Sequence, residues 1–111
     1  MPKPRALPAI THLQFLVLGL LRPEEQAGRT LRDALATYGV RRTAPAFYQL
    51  MSRLETSGLV NGRYEPIVVG DQTVTERRYR ITAEGERAWV RAHDFYAEVG
   101  RLSSKVRWSN A

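Results

Sequence analysis

The chain has no cysteine, which excludes disulfides and thiolate metal sites and fits a reducing, cytoplasmic compartment. Histidine is almost as scarce, with two in the whole sequence. His12 and His93 lie far apart, and neither has a carboxylate or second imidazole at ligand spacing, so no metal centre is expected. His12 reads as a helix-start residue beside Thr11, and His93 as a polar flank. No nucleophile–base pair stands at a recognisable spacing, and Gly70-Asp71-Gln72 is an isolated turn rather than a phosphate loop. Neither an enzyme nor a cofactor is expected. Long apolar runs are missing too. The opening MPKPR followed by ALPAITHLQFLVLGLL resembles an export signal, but Thr11, His12 and Gln14 interrupt it. It then meets Arg22-Pro23-Glu24-Glu25 without a small-residue cleavage site, and its unbroken part is too short to span a bilayer. No membrane partner is expected.

Lysine is also rare. Of 17 basic residues against 11 acidic ones, net +6, all but Lys3 and Lys105 are arginine. Arginine grips phosphate through two parallel hydrogen bonds, so a basic, arginine-dominated chain points toward nucleic acid. Charge alone does not decide it. A length of 111 residues allows one small core and no more.

Residues 1–9, with three prolines and two cations, read as a loose basic arm. Thr11 is a candidate cap for a first helix ending near Leu21. Leu13, Phe15, Leu16, Val17, Leu18, Leu20 and Leu21 cover nearly every direction of it. A helix that is apolar all round must be buried all round. In so small a domain, one side is expected to face its own core and the other a second copy of the chain. A second helix is expected from Gly28 to Tyr38, closed by Gly39. Residues 59–69 are rich in β-formers, Gly70-Asp71 is a turn signal, and TVTERRYRIT alternates at period two. The result is a hairpin, with Thr75, Arg77, Tyr79 and Ile81 on one face and Val74, Glu76, Arg78 and Arg80 on the other.

Between them stands TAPAFYQLMSRLETSGLV, residues 43–60. Thr43 can cap a helix whose first turn tolerates Pro45. Phe47, Leu50, Met51 and Leu54 form a buried stripe, and Gly58 suits the left-handed position just past the end. The opposite face holds Ala46, Tyr48, Gln49, Ser52, Arg53 and Thr56. Glu55 is the only acid between residues 34 and 64. A solvated face usually mixes both signs of charge, so this one looks prepared for an anion. The last helix starts at Thr82, with Glu84 and Glu86 placed favourably against its N-terminal dipole. Its apolar residues Ala88, Ala92, Phe95, Val99, Leu102 and Val106 alternate by four and three, a seam for packing on another helix. Gly100 limits the expected seam to about residue 100.

Three helices, a hairpin and a helix are the order of a winged helix–turn–helix, with the third helix in the major groove. The fold class is therefore mainly α with a small β-hairpin: a winged helix–turn–helix over residues 10–82, a dimerisation helix over 83–100, and a basic tail over 101–111. Several fragments in this order resemble the PadR family of bacterial transcriptional regulators, over about residues 10–99. They are LQFLVLGLLRPEE, Ala44-Pro45-Ala46-Phe47-Tyr48, Arg53-Leu54-Glu55, Ser57-Gly58-Leu59-Val60 and Arg78-Tyr79-Arg80-Ile81-Thr82-Ala83-Glu84-Gly85. Two departures stand out. Ala27-Gly28-Arg29-Thr30 replaces a His-Gly-Tyr-Glu-like segment. The wing tip reads Gly70-Asp71-Gln72-Thr73-Val74-Thr75-Glu76 where the family has a glycine- and arginine-rich tip. Asp71 and Glu76 would weaken wing contact with phosphate.

The resemblance implies double-stranded DNA as partner and a homodimeric repressor as function. It places Thr43, Ala46, Tyr48, Gln49, Ser52 and Arg53 toward DNA. Gln49 is suited to an adenine edge, Arg53 to guanine or phosphate, and Ala46 to a thymine methyl. Arg41, Arg42, Arg77 and Arg78 are suited to backbone phosphate. Tyr48 stays open between a phosphate contact and a structural role in the turn unit. The resemblance further implies that Trp89, Ala92, Phe95, Tyr96 and Val99 line a dimer interface. There an aromatic or apolar small-molecule effector is one reading, and plain dimer packing the other. The alternative function is a winged-helix protein-interaction module that does not bind DNA. RNA binding lacks the exposed aromatic strand face that stacking would need.

Overall fold

The computed structural model describes residues 6–104. Thr11 opens the first helix, α1 (His12–Leu21), with a reciprocal capping box. Its Oγ1 accepts from the Gln14 N–H at 3.1 Å, and Gln14 Oε1 accepts from the Thr11 N–H at 3.0 Å. A two-residue strand follows, β1 (Gln26–Ala27), and then α2 (Gly28–Thr37), α3 (Ala44–Thr56), β2 (Val60–Val69), β3 (Gln72–Ile81) and α4 (Ala83–Ser104).

Helices α2 and α3 end by the same device. Gly39 and Gly58 adopt φ of +81° and +77°, and the residues after them reach back along the helix. The Val40 N–H donates to the Leu35 carbonyl at 3.0 Å, and the Leu59 N–H to the Leu54 carbonyl at 2.9 Å. Both are Schellman turns, satisfying carbonyls that the helix end would leave bare. Thr82 then joins two elements: its hydroxyl donates to the Gly58 carbonyl at 2.6 Å and accepts from the Gly85 N–H at 2.9 Å. Gly85 allows this closeness, since a Cβ there would collide with the Leu59 carbonyl oxygen.

The sheet order is β1-β3-β2, all antiparallel. The β2–β3 hairpin runs in register from Val60 opposite Ile81 to Val69 opposite Gln72, around the expected two-residue turn at Gly70-Asp71. Strand β1 was not expected. It pairs Gln26 with Tyr79 and Ala27 with Arg78, and so ties the link between α1 and α2 to the base of the wing.

One core joins the elements. Val17, Leu18, Leu21, Leu31, Leu35, Phe47, Met51, Leu54, Val60, Tyr79 and Ala92 are essentially inaccessible to water. Helix α1 sits at its centre, with Leu13, Phe15, Leu16 and Leu20 packed half-buried at the core margin. Helix α4 continues through Gly100 to Ser104, beyond the expected seam end. Among the described residues, no helix is long and apolar enough to cross a membrane. Lys3, Arg5 and the tail from residue 105 onward lie outside the described residues.

Candidate nucleic-acid interface

Helix α3 buries Phe47, Met51 and Leu54 and turns Tyr48, Gln49, Ser52 and Arg53 outward. Ala46 is half-buried on the same outer side. Thr43 caps the helix, its Oγ1 accepting from the Ala46 N–H at 3.3 Å. The turn before it is pinned where Arg32 Nε donates to the Arg42 carbonyl at 2.9 Å. Arg41 and Arg42 project from this turn, exposed. Tyr48 serves packing and surface together. Its ring meets Phe47 edge-on at 5.2 Å between centroids, and a Cβ on Gly28 would lie 3.2 Å from its hydroxyl oxygen. The Gly28 of the segment that departs from the family pattern thus accommodates Tyr48 at the α2–α3 contact.

Arg29 was not singled out from the sequence as a candidate site residue. It lies at the start of α2 and shares a cleft of about 200 Å³ with Tyr48 and the wing residues Thr75 and Arg77. Among the described residues, Arg29, Arg41, Arg42 and Arg53 form no ion pair.

The wing arginines have partners within the chain. Arg77 Nη2 donates to Glu55 Oε1 at 2.6 Å, and its guanidinium lies 4.5 Å from the Tyr64 ring centroid. Arg78 donates to Glu76 Oε2 at 2.9 Å and to Glu25 Oε2 at 3.2 Å. Arg63 grips Glu25 with two bonds of 2.8 and 2.9 Å. Hydrogen bonding from Arg63, with Arg78 adding to it against partial desolvation, holds the Glu25 carboxyl down to about 2. Arg77 and Arg78 thus have carboxylate partners inside the chain, at the wing base rather than its tip. Glu76, expected to repel phosphate, is neutralised by Arg78 in the same way. Burial, opposed by hydrogen bonding from Arg77, pushes the Tyr79 phenol up to about 12.

The expected helix–helix seam divides. Ala92 is fully buried in the chain's own core, so it is not available to a partner. Trp89 is also engaged within the chain, stacked on Phe15 at 5.1 Å and on His93 at 5.0 Å, with Arg22 3.8 Å above its ring. Phe95 is half-buried, while Tyr96 and Val99 are each 42% exposed and Leu102 is 54% exposed. Phe95 also lines a groove of about 710 Å³ between α4 and residues 6–10. Among the described residues, no group of three His, Cys, Asp or Glu side chains could hold a metal ion.

No family sequence model and no curated protein sequence matches the chain. Solved structures do. A PadR family transcriptional regulator from Eggerthella lenta DSM 2243 is 31% identical, with 88% of this chain and 83% of that one covered at a TM-score of 0.68. The chain belongs to the PadR family of transcriptional regulators. Two further PadR structures share the fold at lower identity. One, from Clostridium difficile R20291, is 13% identical, covering 86% of this chain and 97% of that one at a TM-score of 0.71. The other, Bacillus subtilis PadR solved in complex with operator DNA, is 19% identical, covering 78% and 47% at a TM-score of 0.58. PadR proteins are transcription factors, not enzymes.

Proposed function

We propose that the chain is a cytoplasmic, homodimeric repressor that binds a pseudo-palindromic DNA site. One observation carries this reading. Four arginines around α3 are exposed and lack ion-pair partners among the described residues, whereas Arg63, Arg77 and Arg78 of the hairpin are matched by carboxylates. The operator complex of Bacillus subtilis PadR, which has the same fold, supports it. In this reading, Thr43, Ala46, Tyr48, Gln49, Ser52 and Arg53 enter the major groove. Gln49 reads an adenine edge, and Arg53 takes guanine or phosphate. Arg29, Arg41 and Arg42 hold phosphates and set the register. Two α3 helices reach half-sites about 34–36 Å apart. The dimer forms through the outer stripe of α4, Phe95, Tyr96, Val99 and Leu102. An aromatic or apolar effector wedged there would act by favouring a dimer angle that no longer matches the groove spacing.

The test is fluorescence anisotropy with a duplex from the chain's own promoter and a shuffled duplex, across salt. The expected result is a preference for the promoter duplex and a steep salt dependence, log K falling by about 0.9 per phosphate neutralised in each decade of salt. If Arg53 holds phosphate, Arg53→Ala lowers affinity and makes that slope shallower by about one contact per protomer. Equally weak, salt-insensitive binding to both duplexes would overturn the proposal in favour of a protein-interaction module.

A further inference from the structure

Gly62 stands within the ten-residue strand β2, where a glycine weakens pairing and has no side chain to pack. The space above it is occupied. A Cβ at residue 62 would lie 2.5 Å from Arg77 Nη2 and 2.6 Å from Glu55 Oε1. The Glu55–Arg77 ion pair therefore crosses β2 over bare backbone. Tyr64, directly opposite Arg77 in the strand register, lies beneath the guanidinium, and Tyr79 stands 5.6 Å from it.

Glu55 is otherwise badly placed. It lies in the last turn of α3, where the helix dipole disfavours an anion. It is also the only acid on the helix proposed to face DNA. Arg77 offsets both penalties, and in doing so joins α3 to the wing across 22 residues of sequence at 2.6 Å.

We infer that the Glu55–Arg77 pair, seated over Gly62 and against Tyr64, is a strut that fixes the wing's angle to α3. Both are positioning residues. Arg77 holds no phosphate, because its charge is already matched. The inference rests on the DNA-binding reading for its functional consequence but not for its geometry.

Two readouts test it. In DNA binding, removing an acid from a phosphate-facing surface should tighten affinity on electrostatic grounds alone. The strut requires the opposite: Glu55→Gln weakens specific binding by roughly tenfold, Arg77→Met does the same with an unchanged salt slope, and the double variant is no worse than either single one. The second readout needs no DNA. Because the chain has no native cysteine, spin labels attach only at introduced Thr56→Cys and Thr73→Cys. With the labelled chain diluted into an excess of unlabelled chain, so that a dimer holds one labelled protomer, electron–electron double resonance then measures the distance between α3 and the wing. A narrow distribution that broadens in Glu55→Gln supports the strut, even if the parent protein binds no DNA. An unchanged distribution, or tighter DNA binding by Glu55→Gln, overturns it.

Discussion

Glu25 carries more of the wing base than its place in a loop suggests. It anchors both Arg63 and Arg78, and its carboxyl titrates near 2 against an ordinary 4.5. A depressed folded-state value means that the ionised form is favoured by folding. Its stabilisation is therefore complete above pH 4.5 and fades as pH falls toward 2. Melting temperature measured against pH should decline through that window, and Glu25→Gln should lower the neutral-pH value and flatten the decline. These pairings were not legible in the sequence. Alternation along β3 correctly separated the face of Arg77 from that of Arg78. It could not show that Glu55 and Glu25, 22 and 53 residues away, would claim them. Charge partners that meet only through tertiary folding leave no local pattern.

At the scale of elements, the sequence was most readable where a local rule has one solution. Thr43, Pro45 and Gly58 bounded α3, and the structure places its cap, its first turn and its left-handed exit on those residues. Gly58 has open space around the position of a Cβ, so only backbone conformation opposes a side chain there. Gly58→Ala should cost about 1–2 kcal/mol. Calorimetry should show this as a melting temperature lower by about 4–8 °C for each kcal/mol in a domain of this size. Strand β1 was unreadable for the converse reason. Two residues have no periodicity, and they become a strand only because β3 offers a free edge.

The whole molecule is extended, with a Cα radius of gyration of 17.7 Å and principal extents of 66 × 37 × 22 Å. A compact chain of 100 residues would have a radius near 13 Å. The distal half of α4 contributes to this, carrying Val99 and Leu102 past the core with their apolar surface exposed, while the half-exposed Tyr96 still meets Phe15 edge-on at 5.6 Å. Sequence spacing revealed that α4 has an apolar seam but not how much of it the chain's own α1 would take. In sedimentation experiments the parent protein should run at twice the chain mass, and Val99→Asp combined with Leu102→Asp should run as a monomer with intact helical content. A monomeric parent at micromolar concentration would exclude the dimer.

The short pairing of Gln26 and Ala27 with Arg78 and Tyr79 has a thermodynamic consequence. It binds the wing base to the start of α2, so the conformational freedom of those residues is surrendered during folding. Ordering a residue's backbone costs about 1–2 kcal/mol, and here that cost falls before any partner arrives. The distal hairpin, residues 66–75, lies beyond the reach of β1 and is held by the β2–β3 pairing without that third strand.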